Sequence, residues 1–169
     1  LIASLYKKGP RDDPGNYRPI TLLPVIGKFY ATIINNRLNK FLEANHIIDT
    51  AQNGFRVVEG RNCEDHLFCL AELCRHASVT KSPLPVCFLD FKSAFDTVPR
   101  NAMLYCLSQL GLERDIYEAI ASLYRHTEAQ ALANGQKSDK FTIEKGVAQG
   151  CPLSPTLFAL FINSLLKEL

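Results

Sequence analysis

Apolar and polar positions alternate along the chain in blocks of different period. LIASLY at residues 1–6 reads as a short strand, and KKGPRDDPGN, dense in Gly, Pro and Asp, as a loop. From about Gly27 to Asn45, Tyr30, Ile33, Ile34, Leu38, Phe41 and Leu42 recur at helical spacing, with Arg37 among them, which predicts an amphipathic helix. DTAQNGFRVVEGRN is a polar loop with two glycines. Asn62 followed by Asp65 predicts a capped helix start, with Leu67, Leu70, Ala71 and Cys74 on one face and KSPLP ending it. In PLPVCFLD, Val86, Cys87, Phe88 and Leu89 are apolar at successive positions, as expected of a strand buried on both faces; it ends in Asp90, and a turn closed by Pro99 follows. Two helices come next, one near 102–110 stopped by Gly111, the other carrying Ile116, Ile120, Leu123 and Tyr124. EAQALANGQKSDKFTIEKGV predicts a hairpin turning at Asn134-Gly135, with a polar run to Asp139 able to lengthen its loop. Ser154 with Pro155 marks the start of a last helix. Helices interspersed with strands, one pair of them antiparallel, give an α+β fold class.

A length of 169 residues suits about one domain, and 47% hydrophobic with 21% charged residues is ordinary for a globular chain. A net charge of +2 excludes a global basic field, so any nucleic-acid surface is a local patch. No run approaches the ~20 apolar residues of a membrane-spanning helix, which predicts no membrane partner. Six cysteines without a C-x-x-C pair, mostly among apolar neighbours, point to an intracellular, reducing setting without a disulfide framework. The absence of an initiating Met and an end inside an apolar helical pattern make a fragment of a longer reading frame the expectation.

Asp90 carries the sharpest chemical question. A carboxylate closing an apolar strand costs several kcal/mol, roughly, unless something neutralises it. Two readings fit: a ligand for a hard divalent cation, or a structural carboxylate paired to an arginine or capping the following turn. Asp96, before Thr-x-Pro, is expected to bond its own turn backbone. GVAQGCPLSP places Gln149 between Gly146 and Gly150, either a polar ligand wall ahead of a rigid helix or a plain connection. Lys7, Lys8, Arg11 and Arg18 surround the first loop as phosphate ligands or as a solvated charged face. Cys63, His66, Cys69, Cys74 and His76 raise a zinc reading, weakened because structural zinc sites usually draw ligand pairs from two separate elements.

LIASLYKKG, DPGNYRPITLLPVIGKFYATIINNRL, AQNGFR, FLDFKSAFDTV and GVAQGCPLSPTLF, in that order, resemble the successive blocks of the reverse transcriptases of non-LTR (LINE-type) retrotransposons. The resemblance implies the fingers and partial palm of a right-hand polymerase, with about 1–85 mainly fingers and about 86–169 mainly palm. It implies Asp90 as the first metal-binding catalytic aspartate, with the Phe91 carbonyl at the same site. Phe95 matches a gate that excludes a 2′-hydroxyl, and Gln149 and Gly150 match a block lining the nucleotide and template pocket. Arg18 matches an arginine that holds the triphosphate; Lys7 is its expected partner, with Lys8 an alternative. The implied activity is RNA-directed DNA polymerisation with two Mg²⁺ ions, an RNA template, a DNA primer and deoxynucleoside triphosphates. The family's Tyr-x-Asp-Asp hairpin and thumb have no match in these 169 residues. The isolated chain is therefore expected to polymerise nothing and to be poorly soluble, and a catalytically dead nucleic-acid-binding remnant of a mobile element is the alternative function.

Overall fold

The structure, a computed structural model, describes residues 1–56, 62–133 and 135–168. Strand β1 (Ile2–Tyr6) pairs antiparallel with β2 (Tyr17–Thr21), Ile2 opposite Thr21 and Tyr6 opposite Tyr17. Between them Asp13 caps a one-turn 3-10 helix, Pro14–Asn16, by accepting the Gly15 N–H at 2.8 Å. The sequence pattern predicts no strand at 17–21, and β2 carries Pro19 at its centre. β2 lies at an edge of its sheet, where the N–H that Pro19 lacks can be spared.

The other two strands of that sheet come from the predicted hairpin. β4 (Ala131–Ala133) and β5 (Gln136–Lys137) pair across a two-residue loop, with Gly135 at φ +76°; Asn134 lies outside the described residues. An outer pair, β3 (Glu128–Ala129) with β6 (Phe141–Thr142), continues the hairpin as a second small sheet. Two residues separate the pairs on one arm and three on the other, so the 138–140 arm bulges; Ser138 Oγ fills the gap by accepting the Ala131 N–H at 2.9 Å. β1 runs parallel to β4, which joins the start of the chain to residues 131–132.

Helices build the core. α1 (Val25–Ala44) buries Ala31, Ile34, Leu38 and Leu42, a line of three- and four-residue steps. They meet Met103 and Leu107 of α4 (Arg100–Ser108), Ile120 and Tyr124 of α5 (Arg114–Arg125), and Leu157 and Leu160 of α6 (Ser154–Glu168). The predicted apolar face of α1 is rotated: Tyr30 and Ile33 face solvent together with Val25, Ile26 and Phe29. α2 (Cys63–Thr80) starts where expected, with a reciprocal capping box in which the Asn62 side chain accepts the Asp65 N–H and Asp65 accepts the Asn62 N–H. Its intended core face is uncovered, since no residue of α2 is buried. The polar loop before it runs into residues 57–61, which lie outside the described residues.

The largest correction concerns 83–91. These residues form no strand, and Val86, Phe88 and Leu89 are 47%, 80% and 69% exposed. A strand apolar on both faces forms only where neighbours on each side complete its ladder and layers above and below cover it. Among the described residues none does either; Pro83 and Pro85 also lack the N–H that a ladder uses. The α+β class holds, with helices and mainly antiparallel strand pairs.

Candidate functional site

Period-two alternation along β2 separates two cavities. Pro19 and Thr21 face one of about 800 Å³, largely apolar and open to β6. Arg18 and Ile20 face the other, of about 500 Å³. In this second cavity Lys7 stands just past β1, its N–H bonded to Asn16 O at 2.8 Å, and Arg18 lies beside it on β2. The opposite wall comes from Ser93 and the single turn α3 (Ala94–Thr97), which carries Phe95 and Asp96. The floor is the loop at Gln149, Gly150 and Cys151, with Ser154 and Pro155 of α6. Five of the seven sequence-predicted site residues thus meet in one place: Lys7, Arg18, Phe95, Gln149 and Gly150. Lys8 is not in the lining, and Arg11 is engaged elsewhere, its guanidinium 5.2 Å from the centre of the Tyr6 ring.

The floor is held by close backbone contacts that only glycine permits. Gly146 has φ +86°, and a Cβ there would lie 2.7 Å from Asp96 O; Gly150 has φ +103°, and its Cβ would lie 2.9 Å from Thr21 O. Gly146 N–H donates to Val98 O and Val147 N–H to Phe95 O, both at 2.8 Å, while Thr21 N–H donates to Gln149 O at 2.7 Å. The loop is pinned on one side to α3 and on the other to the end of β2.

Asp96 departs from its expected role. Its Oδ1 accepts the Gln149 Nε2–H at 2.8 Å rather than a bond from its own turn. A carboxylate only accepts, so this bond turns the amide's nitrogen toward Asp96 and its oxygen away from it. With Lys7 and Arg18 opposite one carboxylate, the cavity offers a net positive lining suited to a polyphosphate.

Asp90 and Phe91 lie outside this cavity, on the exposed segment. Asp90 forms no ion pair and no hydrogen bond among the described residues. The cost of burying its charge does not arise, because the segment that carries it is exposed. No group of three His, Cys, Asp or Glu among the described residues could hold a metal ion, which also leaves the zinc reading without support. One exposed carboxylate and a neighbouring carbonyl could hold part of the oxygen set of Mg²⁺, and by themselves the described residues do not complete a magnesium site.

Sequence reasoning missed Arg100. It is buried in the first turn of α4, where a cation opposes the helix dipole; that misplacement was the signal. Its Nε donates to Gly146 O at 3.0 Å, and its Nη1 reaches Ile143 O at 2.6 Å, Tyr124 O and the Thr127 hydroxyl. Burial lowers its pKa from the usual arginine value. Tyr124, whose ring lies under the guanidinium, is pushed up to about 12 by burial, against a hydrogen bond with Ser154 that pulls the other way. Arg100 therefore ties the glycine loop to the end of α5. Arg100→Leu removes these donors and leaves three carbonyls unmatched; a loss of about 3–5 kcal/mol is expected, roughly 10 °C in thermal midpoint. A midpoint within 2 °C or so of the parent, by the same conversion, would show that the staple carries no stability.

A family model described as reverse transcriptase (RNA-dependent DNA polymerase) matches residues 5–169. The chain is 34% identical to the RNA-directed DNA polymerase from mobile element jockey of Drosophila funebris over 95% of its length, and 30% identical to that of Drosophila melanogaster over 97%. It is also 30% identical over 96% of its length to the retrovirus-related Pol polyprotein from type-1 retrotransposable element R2 of Popillia japonica. It spans 17%, 18% and 22% of the lengths of these three proteins. The family match runs through every element that lines the Lys7–Arg18–Gln149 cavity, and the chain belongs to the reverse transcriptase family, among the polymerases of non-LTR retrotransposons.

Proposed function

We propose that this chain supplies the nucleotide-binding part of an RNA-directed DNA polymerase, with residues of about 1–85 acting mainly as fingers and 86–169 mainly as partial palm. The observation that carries the reading is the convergence of Lys7, Arg18, Phe95, Gln149 and Gly150, from distant parts of the chain, on one cavity of about 500 Å³. Its occupant is a deoxynucleoside triphosphate. Lys7 and Arg18 hold the phosphates and stabilise charge on the departing pyrophosphate. Phe95 stands against the sugar and rejects a 2′-hydroxyl by bulk. Gln149, its amide turned by Asp96, and the bare backbone at Gly150 form the wall behind the base pair of RNA template and incoming nucleotide.

Asp90 would give one carboxylate, and Phe91 its carbonyl, to a divalent-cation site whose further carboxylates are not among the described residues. When bound, such a cation would stabilise the attacking and leaving oxygens of phosphoryl transfer. For these 169 residues alone, that single carboxylate favours binding of nucleotide or nucleic acid without extension, the alternative reading.

The test removes charge from the cavity. In a polypeptide carrying this chain with the rest of the polymerase, Arg18→Ala is expected to raise KM for deoxynucleotides by about 10–100-fold, the worth of a charge-assisted hydrogen bond. Affinity for the primer–template duplex, measured at fixed salt, should change little. An unchanged KM would refute the assignment of the cavity.

A further inference from the structure

Three phenylalanines meet behind the cavity. Phe95 stacks on Phe158 of α6, with ring centres 5.0 Å apart and planes 17° apart. Phe55 meets Phe95 edge-on at 5.8 Å and 81°, and Phe158 at 6.3 Å and 89°. Only Phe95 lines the cavity; the other two rings fix its position from behind.

Phe55 is an odd residue to find in that place. It is 51% exposed and its φ is +61°, a left-handed conformation rarely adopted by a bulky side chain. The backbone leading to it is nonetheless braced from three directions. Arg56 pairs with Glu43 and donates to Asp49 O and Gln52 O; Asp49 N–H donates to Asn163 Oδ1 at 2.7 Å; and Asn163 Nδ2 donates to Ile47 O at 3.0 Å. A loop that only needed an apolar plug would bury the ring in a relaxed backbone. This one holds it strained and half in water, with its edge on the gate.

We propose that Phe55 is a positioning residue for sugar discrimination: it locks the Phe95 ring against rotation, so that the gate keeps its bulk where a 2′-hydroxyl would sit. This rests on the gate reading of Phe95 given above. An edge-to-face contact restrains χ angles without touching substrate, so Phe55 acts through Phe95 alone.

The experiment compares kcat/KM for deoxy- and ribonucleoside triphosphates in the complete polymerase. Phe95→Ala should collapse the ratio by about 100-fold, and Phe55→Ala should lower it by roughly tenfold, chiefly by admitting ribonucleotides. Phe55→Tyr, which keeps the ring, should restore the parent ratio, and Phe55→Ala with Phe95→Ala should match Phe95→Ala alone, the coupling expected when one residue works through the other. Should the alanine variant not fold, Phe55→Leu serves in its place. A Phe55 variant that lowers both kcat/KM values equally and leaves the ratio unchanged would show a merely structural ring and overturn the proposal. If Phe95→Ala itself leaves the ratio unchanged, the gate reading fails and this inference falls with it.

Discussion

Asp90→Asn, placed in a polypeptide that carries the whole polymerase, is expected to reduce primer extension by roughly 10³-fold or more, leaving duplex binding and thermal midpoint close to the parent. The substitution keeps shape and removes charge, and a hard cation loses an anionic oxygen that an amide replaces poorly. The unchanged stability follows from the surroundings. Asp90 is exposed and engages no arginine, no cap and no backbone N–H among the described residues. A carboxylate with a structural duty would behave in the opposite way, with its loss read in the melting curve. A variant that melts several degrees lower and extends primers normally would place Asp90 among the structural residues and remove the metal assignment.

The sequence revealed what is locally encoded. The Asn62–Asp65 box and the helical period of α1 depend on neighbours a few positions away, and both are present, although the buried face of α1 is rotated and α4 ends at Ser108, short of Gly111. The strand expected at 83–90 depends on partners distant in sequence, and apolar composition alone cannot supply a ladder. The same reasoning explains α2: its helical period is set by its own residues, whereas the burial of Leu67 and Leu70 requires a surface to pack against. At the site, matching blocks identified the residue types but not how they are held. Asp96 orienting Gln149 spans 53 positions, and Arg100 reaching Gly146 spans 46. Neither contact leaves a periodic trace. The strand at 17–21 left no alternating signal strong enough to read, and its Pro19 is tolerated because β2 is an edge.

The glycine loop gives the sharpest remaining test of how the cavity is built. Gly146→Ala faces two penalties at once. Its φ of +86° disfavours any side chain, and the new Cβ would press on Asp96 O at 2.7 Å and on the Asp96 carbonyl carbon and Cα at 3.0 Å. All three are backbone atoms of α3, so no side chain can swing aside. Either the loop or α3 must retreat, and either movement breaks the bonds from Gly146 N to Val98 O and from Val147 N to Phe95 O. It also draws Gly146 O away from Arg100 and shifts Gln149 against Asp96. A loss above about 3 kcal/mol is expected, with nucleotide incorporation falling by roughly 100-fold or more. Gly111→Ala isolates the conformational term, since Gly111 has φ +70° and a Cβ there would meet nothing within 4 Å; about 1–2 kcal/mol is expected, with incorporation unchanged. Gly150→Ala should resemble Gly146→Ala, because its Cβ would meet Thr21 O at 2.9 Å. Equal costs at Gly146 and Gly111 would mean that the loop is not pinned to α3, and that the positions of Phe95 and Gln149 are set independently of each other.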